Sequence, residues 1–100
     1  MKIVFLASSI PDLRWFKNYY TRVFPEGRAK ADSQLLVTKK TLAANPFAGQ
    51  PCEGVERARD YHILRTPFTF IYHVRPDRIE VLRVLDMRGL GGGSQIRIGP

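Results

Sequence analysis

The chain moves between two hydrophobic rhythms. "KIVFLA" (Lys2–Ala7) is a short, apolar, β-branched run and predicts a first strand. "SSIPDL" then breaks that rhythm: Ser8 or Ser9 can cap a helix, Pro11 suits its first turn, and Asp12 complements its dipole. Leu13, Phe16, Tyr20 and Val23 or Phe24 follow at helical spacing and predict one apolar stripe. Trp15 and Tyr19 form a second i, i+4 pair beside it. That pair fits either a helix wedged between a sheet and a neighbour, or a partner-binding face. "FPEGR" (Phe24–Arg28) predicts a turn, and a second helix runs from about Arg28 to Ala44. Ala31, Leu35 and Leu42 share a face there with Leu36 beside it, while Lys30, Lys39 and Lys40 face solvent. So short a connection implies an antiparallel helical hairpin.

"NPFAGQP" (Asn45–Pro51) is the clearest punctuation. Asn45 can end the helix in a left-handed conformation, Pro46 forbids its continuation, and Gly49 supplies a turn. "CEGVERARD" (Cys52–Asp60) reads as a polar loop. The rhythm then changes to period two, with strands predicted at Tyr61–Thr66, Phe68–Val74 and Arg78–Leu85. Pro67 separates the first two and "RPD" the last two, which implies an antiparallel meander. On the middle strand Phe68, Phe70, Tyr72 and Val74 share the core face. Thr69, Ile71, His73 and Arg75 share a mixed, partly open face. On the last strand both alternating sets are partly apolar, so period alone does not decide where Arg83 points. Gly89–Ser94 is Gly-rich, predicts a flexible tail, and lacks the context of a phosphate-binding loop.

One hundred residues, 44% apolar and 25% charged, make one globular domain rather than a disordered chain. The net charge of +7 is spread over the fold. Residues 1–44 carry eight Lys and Arg against three acids, residues 45–56 carry two acids alone, and residues 57–88 carry seven Arg against four acids. The balance favours an acidic partner, nucleic acid or an acidic protein segment. Cys52 is the only cysteine, which excludes an intrachain disulfide and fits a reducing compartment. A nucleophilic role for it is not expected. The apolar run Ile3–Ala7 is too short for a signal-peptide core, and no run approaches a membrane span, so the cytoplasm is the expected location and no membrane partner is expected. Neither a metal nor a cofactor is implied.

The order β-α-α-β-β-β therefore predicts an α+β fold: an antiparallel sheet with a helical hairpin packed on one face. At this point the chain resembles the RelE/ParE superfamily of bacterial toxins. Three features carry the resemblance. A first strand is followed by "PDL" (Pro11–Leu13), opening an aromatic helix. "LAANPFAGQP" (Leu42–Pro51) looks like the family's leucine, asparagine-proline, glycine junction. "PFTFIYHVRPDRIEVLRVLDMR" (Pro67–Arg88) looks like its terminal hairpin. The resemblance covers roughly residues 2–88, the expected single domain, with 89–100 as the tail.

The resemblance implies a toxin of a type II toxin–antitoxin pair, blocking growth and held in a hetero-oligomer by a cognate antitoxin whose acidic C-terminal segment folds on binding. RelE-like members cleave mRNA on the ribosome; ParE-like members inhibit DNA gyrase and have no recognised nuclease site. Metal-free RNA cleavage needs a base, cations for the transition state and an acid. Where RelE-like enzymes place two alternating lysines, this chain has His62 and Leu64. Where they place an arginine on the middle strand, it has Thr69; near their last arginine it has Arg88; no terminal Tyr or His follows. His62, Arg65, His73 and Arg88 form the one conceivable substitute, histidine titrating near ~6.5. His62 and Arg65 lie in opposite strand phases, so they are not expected to meet. The ParE-like reading asks only for a surface that fits a protein, with Trp15, Tyr19, Arg83 and Arg88 as expected target- or antitoxin-binding residues, since arginine's fork suits carboxylates. Arg75 and Arg78 are expected to solvate the hairpin turn. A ribosome-dependent endonuclease and a degenerate antitoxin-binding module are the alternatives.

Overall fold

A computed structural model describes residues 1–88. β1 (Lys2–Phe5) leads through a 3-10 turn into α1 (Ile10–Asn18), which continues as a π-turn over Tyr19–Val23. A second 3-10 turn, Pro25–Gly27, opens α2 (Arg28–Ala44). The sheet strands are β2 (Gln50–Pro51), β3 (Arg59–His62), β4 (Phe68–Val74) and β5 (Arg78–Asp86). Their order in the sheet is β1-β5-β4-β3-β2. The expected α+β class and the helical hairpin hold. The sheet is mixed rather than antiparallel throughout, because β1 pairs with β5 in parallel, Ile3 opposite Ile79 and Phe5 opposite Val81. Tight turns dictate antiparallel pairing only between sequence neighbours, and no tight turn joins β1 to β5.

The core lies between the helices and one sheet face. Phe16, Tyr20, Ala31 and Leu42 from the helices meet Phe68, Phe70, Tyr72, Ile79, Val81 and Val84 from the strands. Phe68 is ringed by Phe16, Tyr19 and Tyr20, at centroid distances of 4.8, 6.0 and 6.1 Å. Val23 and Phe24 do not continue the stripe. The π-turn bond from Phe24 N–H to Tyr19 O (2.8 Å) rotates the helix out of phase and leaves both residues exposed. Lys39 is half-buried, its Nζ 6.0 Å from the Phe5 ring, rather than fully in solvent.

The other sheet face is less open than its sequence suggests. The loop after β2 folds back, so that Cys52 and Ala58 pack on Ile71, Leu82 and Leu85. The ambiguous phase of β5 resolves through a β-bulge. Ile71 pairs with Arg83 but Tyr72 with Val81, leaving Leu82 as the extra residue. Ile79 and Val81 therefore face the helices, Leu82 and Leu85 the loop, and Val84 the helices again.

Two boundaries differ from expectation. β3 starts at Arg59 and ends at His62, because Ile63–Pro67 forms a turn. Thr66 donates its N–H (3.2 Å) and hydroxyl (2.8 Å) to Ile63 O, and Arg65 takes a left-handed φ of 64°. Asn45 ends α2 at φ −140°, an extended rather than left-handed conformation. The Gly-rich tail lies outside the described residues.

Candidate functional site

Beyond Val81, β5 loses its β1 neighbour: Leu6 N–H to Val81 O (3.0 Å) is the last backbone bond from that side. Side chains from α1 and its flanking turns take over. Ser8 Oγ donates to Leu82 O (2.7 Å). The Asp12 carboxylate accepts Val84 N–H (2.9 Å) and both Nε (2.7 Å) and Nη2 (3.0 Å) of Arg83. Trp15 Nε1 donates to Asp86 (3.0 Å), and Tyr19 OH accepts from Arg88 Nη1 (2.7 Å). Residues 8, 12, 15 and 19 recur at helical spacing while 82, 84, 86 and 88 recur at strand spacing. One helical turn of about 5.4 Å is close enough to two strand residues, about 6.6 Å, for the two periods to run side by side. The seam covers an edge that would otherwise show unpaired backbone groups.

Trp15, Tyr19, Arg83 and Arg88, expected to meet a partner, are thus all engaged inside the fold. Arg83 and Asp12 are largely buried, at 17% and 7% side-chain exposure. Arg88 chelates Asp86 through Nε and Nη2 (both 3.1 Å) and stacks 4.4 Å above the Tyr19 ring. Its side chain stays 38% exposed. Burial would push the Asp86 carboxyl up, but hydrogen bonds from Arg88 and Trp15 outweigh that and hold it below the ordinary carboxylate range. Bonding to Asp86 and Tyr19 raises Arg88, as bonding to Asp12 raises Arg83. Asp12, expected only to complement the helix dipole, is the residue whose bonding role the sequence did not reveal. Its spacing of three and seven from Trp15 and Tyr19 was the available signal.

The remaining hairpin arginines are neutralised as well. Arg75 and Arg78 share Glu80 (both 2.9 Å), and Arg78 also meets Asp77 (2.8 Å). Exposed cations lie on the helical layer and also off it, at Lys2, Arg57 and Arg65. Arg14, Lys17, Arg22, Lys30 and Lys40 are exposed, and none forms an ion pair among the described residues. Between α1 and α2 runs a groove of about 260 Å³, floored by Leu13, Phe16, Tyr20 and Leu35 and flanked by Lys17, Arg28 and Asp32.

His62, Arg65, His73 and Arg88 are not brought together. His62 pairs with Thr69, and His73 lies four residues further along β4, about 13 Å away. His62 Nε2 bonds Thr66 O, and His73 Nε2 bonds Glu56 O (3.0 Å). Leu64 is exposed and Thr69 buried. Cys52 is buried, which pushes its thiol up, and neighbouring Asp60 adds to that; it does not resemble an activated nucleophile. Among the described residues no group of three or more metal-ligating side chains occurs, and no helix is long and apolar enough to cross a membrane.

Comparison with known proteins agrees with this architecture. A family model described as "ParE toxin of type II toxin-antitoxin system, parDE" matches residues 3–90. No curated protein matches. A solved structure titled "Chromosomal ParDE TA system from P. aeruginosa" is similar at 29% identity and a TM-score of 0.64, over 84% of this chain and 92% of that one. With a family match over residues 3–90, the chain belongs to the ParE toxin family of type II toxin–antitoxin systems.

Proposed function

We propose that this chain arrests bacterial growth in the cytoplasm by inhibiting DNA gyrase, with no covalent chemistry of its own, and that a cognate antitoxin neutralises it. The observation that carries the reading is that the expected ribonuclease set, His62, Arg65, His73 and Arg88, does not converge among the described residues. His62 and His73 lie about 13 Å apart by strand geometry, and Arg88 is bound to Asp86 and Tyr19. A ribonuclease would need such groups around one phosphate. The antitoxin belongs in the α1–α2 groove. An amphipathic helix would set its apolar side on Leu13, Phe16, Tyr20 and Leu35, and its acidic flank on Lys17, since Arg28 is paired with Asp32 (3.8 Å). Induced expression without antitoxin should stop growth while translated mRNA stays uncut. Discrete mRNA cuts would overturn the reading in favour of a ribosome-dependent endonuclease. Unchanged growth would overturn toxicity altogether.

A further inference from the structure

A helix that packs on one side turns its aliphatic side chains inward and its polar ones outward. α2 departs from this. Its buried positions are Ala31, Thr38 and Leu42, so a hydroxyl faces the core. On the opposite side of the helix lie Ala29, Ser33, Leu36, Val37, Lys40 and Ala44, all exposed. Leu36 and Val37 are the aliphatic centre of this outer face, at 52% and 47% exposure, and neither joins the core. The α1–α2 groove runs along a different side of the helix, past Arg28, Asp32 and Leu35. The outer face is therefore separate from it.

The order of residues on this face defines the partner. Lys40 is its one charged side chain, which gives an acidic segment or a phosphate backbone little to hold. The face is instead complementary to itself. Leu36 and Val37, Ser33 and Lys40, and Ala29 and Ala44 lie at equal distances on either side of one midpoint. Two α2 helices laid antiparallel about that midpoint bring Leu36 against the second copy's Val37. Lys40 meets the second copy's Ser33, and Ala29 meets Ala44, where small side chains let the backbones approach. The other charged residues of the helix also fall level with uncharged ones: Arg28 with Asn45, Lys30 with Ala43, Asp32 with Thr41 and Lys39 with Gln34. The pairing therefore joins the apolar centres and sets no like charges opposite each other.

We propose that this chain associates with a second copy of itself through the outer face of α2, in an antiparallel two-fold pairing centred between Leu36 and Val37 that leaves both α1–α2 grooves open. One helix pair is smaller than a standard protein interface, so the dimer is weak and forms with rising concentration. Sedimentation equilibrium of the purified full-length chain, at concentrations up to about 1 mM, measures its dissociation constant. Wild type should show a monomer–dimer equilibrium. Leu36→Glu should weaken it about tenfold or more, because a carboxylate then sits at the apolar centre. Ser33→Glu should tighten it about threefold by meeting the second copy's Lys40, and Ser33→Lys should weaken it by a similar factor. Leu64→Glu, at an exposed apolar residue outside α2, should match wild type. Ser33 is exposed, so its two variants keep the test valid should Leu36→Glu fold poorly. A chain that stays monomeric throughout would overturn the inference. So would a dimer that neither Leu36→Glu nor the Ser33 variants move, or one that Leu64→Glu dissolves.

Discussion

Two kinds of arginine occupy one hairpin, and burial separates them. Arg75 is 46% exposed beside Glu80, whereas Arg83 sits with Asp12 in the covered seam. Removing a partner of an exposed pair costs little, while stranding a buried charge costs much. Asp12→Ala removes the Arg83 ion pair and the side-chain acceptor of Val84 N–H, and should lower stability by about 2–4 kcal/mol. Arg75→Ala should lower it by less than about 1 kcal/mol. Urea unfolding of the two variants checks the contrast. Asp86 gives the seam a pH signature. Its folded carboxyl titrates below its ordinary range, so the stability it contributes is present above the unfolded pKa and lost as pH falls through the folded one. The urea midpoint should fall as the pH drops below about 4, and Asp86→Asn should flatten that slope.

At the scale of elements, the junction between α2 and the sheet depends on one hydroxyl and one glycine. Tyr72→Phe removes both the acceptor for Gly49 N–H and the donor to Pro46 O, and should cost about 1–3 kcal/mol by thermal or urea unfolding. Gly49→Ala meets backbone at Asp60 and should be at least as damaging. The helices, the β4–β5 hairpin and this junction were legible in the sequence, because each rests on local periodicity or turn chemistry. What was not legible depends on distant partners. β2 is two residues long and exists through its pairing with β3. The bulge at Leu82 changes phase within an almost uniformly apolar strand. β3 was placed too late, because the apolar Ile63 and Leu64 imitate strand while the Thr66 hydroxyl closes a turn around Ile63. The internal contacts of the expected interaction residues were hidden for the same reason. Trp15, Tyr19, Arg83 and Arg88 resemble an exposed recognition set until α1 is laid along the edge of β5.

Across the whole molecule, charge is unevenly spread. The helical layer carries exposed Arg14, Lys17, Arg22, Lys30 and Lys40 and the α1–α2 groove, whereas the region around β2 and β3 mixes Glu53 and Asp60 with exposed Arg57 and Arg65. Among the described residues, His62, Arg65, His73 and Arg88 are not assembled into one site on the sheet. The account stands or falls on gyrase itself. The decisive measurement is a supercoiling titration, in which purified chain is added to DNA gyrase, relaxed plasmid and ATP. Loss of supercoiled product or accumulation of cleaved complex, in proportion to added protein, is the predicted result. Undiminished supercoiling at a large excess of a preparation that still arrests growth in cells would contradict it.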